Sequence, residues 1–268
     1  MNNITKQLQD KRAVIFGASG SIGSMAAKAM AAEGAEVFLA GRTLLNLEKV
    51  AGEIRSAGGV AHTALVDALD PAAVDAFIDV ITKDQGIDIV FNATGPRAHE
   101  FHNGILAVDL EADQFMGPVS TLLKSQFITA RAAARRMVQQ KSGVIIFLTG
   151  SPSRAHVQGA TAIGAAFGAI ENFMENLALE LGPSGVRSVC LRTTANVDTR
   201  TIDEVIGILA AQANTSREEV ITRIAAYNFL KVPATVADTV NALVFLASDK
   251  ARMVTATVFN VSAGAAMD

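Results

Sequence analysis

The amino-acid sequence predicts an α/β chain with a doubly wound parallel sheet. Three observations carry this: short apolar runs alternate with amphipathic or alanine-rich segments, a glycine-rich turn separates the first such pair, and the length suits one large domain. The chain has 268 residues, 50% hydrophobic and 18% charged, enough to bury a substantial core as a single domain, 1–268. The first apolar run, 13–16, precedes a helix predicted over 22–33, and 36–40 precedes one over about 44–57. Residues 60–65 lead to a helix opened by Asp70-Pro71, 88–92 to the long segment 118–140, and 144–148 to a helix ending near Leu181. Residues 187–192 read as a sixth strand, and helix 235–247 with strand 257–261 brings the sheet to about seven strands. Each right-handed crossover returns the next strand in the same direction, so this alternation builds a parallel sheet with helices on both faces. The continuous run Val144-Ile145-Ile146-Phe147-Leu148 suits a strand buried on both sides. Between Thr199 and Lys231 the alternation breaks into two predicted helices joined at Ala213-Asn214-Thr215-Ser216, read as a helical lid near 200–230.

The formal charge of −3 and pI near 5.8 supply none of the clustered excess Lys and Arg that a nucleic-acid or anionic-membrane partner requires. Neither partner is expected. Cys190, the single cysteine, lies in the apolar run Val189-Cys190-Leu191 and reads as a small buried hydrophobe. The polar N-terminus is unlike a signal peptide and no apolar stretch approaches about 18 residues, so a soluble cytoplasmic protein is expected.

The turn Gly17-Ala18-Ser19-Gly20-Ser21-Ile22-Gly23 stands between a predicted strand and helix, where a dinucleotide-binding turn belongs. Gly17 permits the tight turn, Gly20 lets the backbone approach a pyrophosphate, and Gly23 allows close helix packing. The helix N-terminus presents free N–H groups to the anion, which makes Ser19, Ser21 and Ile22 further contact candidates. The fold is therefore expected to be of the Rossmann kind. An NAD-selective site normally places an acid at the end of the second strand, whereas this chain reads Leu39-Ala40-Gly41-Arg42-Thr43. Arg42 can pair with a ribose 2′-phosphate, with Thr43 beside it, so the expected cofactor is NADP(H).

Further motifs agree in order and spacing: Asp67 after the third strand, Asn92-Ala93-Thr94-Gly95 after the fourth, Val186-Arg187, then Val197-Asp198-Thr199, and Val244-Phe245-Leu246-Ala247-Ser248-Asp249. With the glycine turn, these make the chain resemble the short-chain dehydrogenase/reductase family over nearly its whole length. The resemblance implies that Asp67 and Ala68 lie at the adenine, that Asn92, Ala93 and Gly95 line the ribose and pyrophosphate path, and that Val197 and Thr199 reach the carboxamide. It also implies a homodimer or homotetramer built on the helices 118–140 and 162–181, whose Ala130, Ala134, Ala169, Phe173 and Leu177 form a small or apolar face that core packing alone would also explain.

The family's chemistry rests on a serine after the fifth strand, a tyrosine and lysine four residues apart on the next helix, and an asparagine on the helix before; the tyrosine protonates the forming alkoxide. Counting back from Leu179-Glu180-Leu181-Gly182 puts Gly164 at the tyrosine position and Gly168 at the lysine position. The asparagine position falls on Leu122, and Ser151 retains the serine. The chain thus resembles a divergent branch with Gly-x-x-Phe-Gly in place of Tyr-x-x-x-Lys.

The loss of two bulky side chains at Gly164 and Gly168 is expected to widen the cleft floor. The remaining candidate groups are Ser151 as a donor to an oxyanion, His156 in the loop beside Arg154, and Tyr227 in the lid, read either as a donor that swings inward or as a packing tyrosine. The pair His99 and His102 offers only two ligands, and no metal is expected. Asp109, Glu111 and Asp113 read as a solvated loop edge. Two functions follow: an NADPH-dependent oxidoreductase acting on a small molecule, reducing a carbonyl, imine or activated alkene by a variant mechanism, or a noncatalytic NADP(H)-binding sensor or heteromer partner.

Overall fold

Seven parallel strands hydrogen-bond in the order β3-β2-β1-β4-β5-β6-β7 in the computed structural model, which describes residues 6–95, 100 and 104–267. They are β1 (Arg12–Phe16), β2 (Glu36–Gly41), β3 (Val60–Leu65), β4 (Ile89–Asn92), β5 (Gly143–Gly150), β6 (Val186–Thr193) and β7 (Thr257–Val261). Both faces are covered. Helices α1 (Ser21–Ala32), α2 (Leu44–Ser56) and α9 (Val236–Ala247) bury Met30, Leu47 and Leu243 against Ile15, Leu39, Ile146 and Leu191. On the other face α3 (Pro71–Ile81), α5 (Lys124–Gln140) and α6 (Thr161–Leu181) bury Ile78, Met137, Ile170 and Met174 against Val14, Phe38, Ile145 and Phe147. Neighbouring strand residues such as Val14 and Ile15, or Ile145 and Ile146, go to opposite clusters because successive strand side chains alternate.

The local signals place the helix ends. Asp70 caps α3, its side chain accepting from the N–H of Ala72 and Ala73, with Pro71 in the first turn where a missing N–H costs nothing. Two expectations are corrected. The helix expected from Pro118 begins six residues earlier, as α4 (Ala112–Pro118), and runs through a π turn, 119–123, into α5. Glu111 and Gln114 form a capping box there, so Glu111 and Asp113 are a helix cap and a first-turn residue rather than a loop edge. Only Asp109 stays outside the helix, in a short 3₁₀ turn.

After β6 the chain inserts α7 (Arg200–Ala213) and α8 (Arg217–Tyr227), which pack on each other through Ile206, Ala210 and Val220. Asn214 ends α7 in the left-handed conformation and Ser216 caps α8, which explains why the junction read from 213–216 falls where it does. Cys190 is fully buried and burial pushes its thiol up to about 12, so it behaves as the hydrophobe its sequence context predicted. No helix among the described residues is long and apolar enough to cross a membrane.

Candidate active site

The strand order reverses between β1 and β4, and the crevice outside their C-terminal ends is where open α/β sheets bind ligands. Gly17 leaves β1 with φ of 70°, a conformation that disfavours a side chain. A Cβ there would stand 2.8 Å from the N of Thr94 and 2.9 Å from the carbonyl of Ala93. The glycine turn and the segment after β4 are therefore in backbone contact, a closeness fixed further by the Ala93 N–H donating to the Phe16 carbonyl at 2.9 Å. A Cβ on Gly23 would lie 2.3 Å from the Gly17 carbonyl oxygen, so the first turn of α1 packs directly on the loop.

The N-cap of α1 is Gly20, which has no side chain to satisfy the helix N–H groups. The first helical bond runs from Ser24 to Gly20, so the N–H groups of Ser21, Ile22 and Gly23 precede the ladder, the arrangement by which a helix start can bind an anion. Arg42 follows β2, exposed and without an ion pair among the described residues, and Thr43 is the exposed N-cap of α2. The Ser19 hydroxyl lies 3.8 Å from where a Cβ on Gly41 would stand, which sets Ser19 and the Arg42 segment on the same rim. These residues fit a phosphorylated dinucleotide: a cradle with no room for side chains, unpaired N–H groups, and a free cation.

Among the other residues expected at the cofactor, several hydroxyl and amide groups bond within the protein. Asp67 is exposed and its carboxylate accepts from the N–H of Leu69, while Ala68 is buried. The Asn92 side chain donates to Thr129 at 2.9 Å and accepts from the Thr94 N–H at 2.8 Å, so it braces the loop. Among the described residues nothing lies within 4 Å of where a Cβ on Gly95 would stand. Val197 donates its N–H to Ala234, and Thr199 caps α7, accepting from Ile202 and donating to the Asn196 carbonyl. Ser21 Oγ accepts the Arg200 N–H at 3.1 Å, tying the glycine turn to the first residue of α7.

At the C-terminal ends of β5 and β6, Ser151 is buried and its hydroxyl stands 3.2 Å from that of Thr194. A cavity of about 260 Å³ opens beside it, lined by Pro152, Ser153, His156, Thr161 and Gly164 among others. His156 is exposed on its rim. The expected widening is corrected at one of the two glycines. At Gly164 a Cβ would meet the Pro152 carbonyl oxygen at 2.7 Å, so the turn 151–153 occupies the space a side-chain stem needs. At Gly168 nothing among the described residues lies within 4 Å of an added Cβ, and a second cavity of about 190 Å³ opens there. Leu122, at the asparagine position, is buried in the core within the π turn. Tyr227 is 82% exposed at the end of α8, which corrects the packing reading and leaves it outside both cavities. His99 and His102 lie outside the described residues.

Sequence reasoning missed a buried ion pair beneath this site. Arg192 (0% exposed) donates from Nε to Glu171 Oε1 and from Nη2 to Oε2, both at 2.9 Å, and Thr149 donates to the same carboxylate at 3.0 Å. The signal was present: one acid inside the apolar stripe of Ala166, Ile170 and Met174, and one base at the end of Val189-Cys190-Leu191-Arg192, each needing a partner to be buried.

A twisted parallel sheet with a glycine-lined phosphate turn at its switch point defines a Rossmann dinucleotide-binding protein. Residues 17–266 match the family model described as enoyl-(acyl carrier protein) reductase, and the chain belongs to the short-chain dehydrogenase/reductase family of oxidoreductases. It is 29% identical over 262 residues to the uncharacterized oxidoreductase YxbG of Bacillus subtilis (strain 168), covering 93% of this chain and 88% of that one. It is 31% identical over 181 residues to gluconate 5-dehydrogenase of Gluconobacter oxydans (strain 621H), covering 67% and 69%. Among solved structures, sorbitol-6-phosphate 2-dehydrogenase from Erwinia amylovora superposes with a TM-score of 0.87 at 23% identity, over 96% of this chain and all of that one. A provisionally assigned NAD(P)-dependent gluconate 5-dehydrogenase from Beutenbergia cavernae, with NADP bound at low occupancy, gives 0.83 at 25% identity, over 97% and 98%.

Proposed function

We propose that this chain is an NADPH-dependent reductase of a small carbonyl, imine or activated alkene that works without the family's tyrosine and lysine. The observation that carries this reading is a glycine turn with no room for side chains and Arg42 exposed on its rim, together with a buried serine that directly precedes the cavity-lining residues Pro152 and Ser153. The N–H groups of Ser21, Ile22 and Gly23 hold the pyrophosphate, Arg42 and Thr43 the 2′-phosphate, and Asp67 and Ala68 the adenine. The backbone at Asn92, Ala93 and Gly95 lines the ribose path, with Val197 and Thr199 at the carboxamide. When bound, the reduced nicotinamide supplies hydride. Ser151 then donates a hydrogen bond to the oxygen on which charge develops, worth most when the donor is held in place beforehand. His156, exposed on the cavity rim, is the imidazole nearest in sequence to Ser151 that can exchange a proton with solvent.

Losing a positioned general acid costs about 10²- to 10⁴-fold in rate, while holding donor and acceptor together keeps the larger proximity contribution. Turnover slower than that of tyrosine-based relatives is therefore expected, not its absence. The test is calorimetric binding of NADPH against NADH, followed by NADPH oxidation over a panel of ketones, aldehydes, imines and enones. Arg42→Ala is expected to weaken NADPH binding and leave NADH nearly unchanged; equal loss for both removes Arg42 from the 2′-phosphate.

A second reading, a noncatalytic NADP(H)-binding sensor or heteromer partner, is favoured by one observation: the Pro152 carbonyl fills the approach to Gly164, so the usual acid cannot be accommodated without moving the backbone. Tight NADPH binding with no turnover anywhere on the panel would establish it. Of the face expected to pair subunits, Ala130, Ala134 and Leu177 are buried in this chain's own core and Phe173 packs against it, so a homodimer or homotetramer rests on the family resemblance alone and is checked by light scattering at micromolar concentration.

A further inference from the structure

We infer that Thr194 is the positioning partner of Ser151, replacing from its own hydroxyl the proton that Ser151 passes to the substrate. The inference rests on the reductase reading above. Thr193 and Thr194 follow each other at the end of β6 and differ in what their hydroxyls do. That of Thr193 is buried in a network with Asn196 at 3.2 Å and Thr239 at 2.8 Å. That of Thr194 is half-buried and meets Ser151 at 3.2 Å.

The two hydroxyls can share only one proton between their oxygens. Once Ser151 turns its own O–H toward a substrate oxygen, the proton between them must come from Thr194. The direction is thus set by occupancy: Thr194 donates to Ser151, and Ser151 donates to substrate. Such a chain polarises along its length, so the terminal donor is stronger than an isolated serine. The frame under it is rigid. Thr149 and Arg192 are paired residues on β5 and β6, and both bind the Glu171 carboxylate, which clamps the two strand ends to α6 two residues short of the hydroxyl pair.

For a carbonyl substrate the step balances as follows. Hydride from the reduced nicotinamide forms the new C–H bond, and the C=O π pair moves onto oxygen. That oxygen takes the Ser151 proton, Ser151 Oγ takes the Thr194 proton, and Thr194 takes one from solvent water, whose hydroxide the buffer neutralises. Serine, threonine and product hydroxyls have similar acidity, so the pair conducts the proton without having to store it.

The experiment compares Thr194→Val, which keeps the shape and removes the hydroxyl, with Thr194→Ser, which keeps the hydroxyl, using the substrate that the carbonyl panel identifies. T194V is expected to lower kcat about 10- to 100-fold with KM and NADPH affinity unchanged, and T194S to restore most of it. In mixed H₂O and D₂O the rate of the natural chain is expected to fall along a curve, as two moving protons require, and that of T194V along a straight line. A T194V protein with undiminished kcat, or an equal loss in T194S and T194V, overturns the inference and leaves the reductase reading standing. No turnover over the whole panel overturns that reading instead.

A second measurement needs no turnover. With NADP bound, 4-nitrophenol titrated by its absorbance is expected to have its pKa lowered by about half a unit or more, because the hydroxyl chain favours the phenolate, and T194V is expected to abolish much of the shift. The same titration in natural and T194V protein overturns the relay even if no substrate is found.

Discussion

Gly164→Ala and Gly168→Ala form a matched pair in which one added methyl group meets two different surroundings. Both positions lie on α6, one turn apart, and replacing glycine by alanine inside a helix contributes about 1 kcal/mol to stability. At Gly168 nothing among the described residues stands within 4 Å of the added carbon, so that contribution is kept. At Gly164 the carbon would stand 2.7 Å from the Pro152 carbonyl oxygen, where ordinary contact begins near 3.4 Å. The turn 151–153 must retreat by about 0.7 Å, and overpacking of this kind costs about 1 to 3 kcal/mol.

The two variants should therefore differ by about 1 to 3 kcal/mol. Unfolding entropy near 2.1 cal/mol/K per residue makes each kcal/mol worth about 2 °C in a chain of this length. Scanning calorimetry is expected to raise Tm by about 1 to 2 °C for G168A and to leave G164A about 2 to 5 °C below it. A G164A protein stabilised as much as G168A would refute the packing of Pro152 on Gly164. It would also reopen the tyrosine position to simple restoration.

Three further outcomes are expected. Gly17→Ala forces a side chain into the left-handed region and against the backbone of Ala93 and Thr94, so urea unfolding should show a loss of about 2 kcal/mol or more together with lost dinucleotide affinity; a neutral variant would contradict the turn geometry. Glu171→Gln leaves Arg192 buried without its counter-charge and should cost about 3 to 5 kcal/mol, while the double change Glu171→Met with Arg192→Leu should recover much of it. A loss under about 1 kcal/mol in the single variant would mean that the pair is not desolvated. Burial holds the Cys190 thiol up to about 12 against its ordinary 9.0. Above pH 9 the unfolded chain therefore sheds this proton and the folded one does not, and stability falls as pH rises toward 12, by up to about 1.4 kcal/mol per pH unit. Cys190→Val should flatten that part of the alkaline stability profile, measured by denaturant titration from pH 8.5 to 10.5.

Much of the fold was legible because each element carried its own chemistry. The strands 60–65 and 257–261 coincide with β3 and β7, and Asp70-Pro71 opens α3 as capping rules require. The start of the long helix was misplaced because Pro118 looks like a first-turn proline, while the true start depends on a capping box seven residues upstream. Tyr227 read from sequence either as a donor that swings inward or as a packing tyrosine, and only the path of α8 puts it in solvent.

The sequence by itself carried the succession of strands and helices along the chain, the glycine turn between the first pair, and the counting that places glycine at 164 and 168 and serine at 151, since these follow from local periodicity and from motif spacing. Tertiary structure decided what those vacant positions mean. Whether a missing side chain leaves space depends on what packs from elsewhere in the chain: at Gly168 nothing does, and at Gly164 the Pro152 carbonyl has moved in. It also brought Thr194 to Ser151 and Arg192 to Glu171, partners 43 and 21 residues apart, which no spacing rule along the chain could have joined.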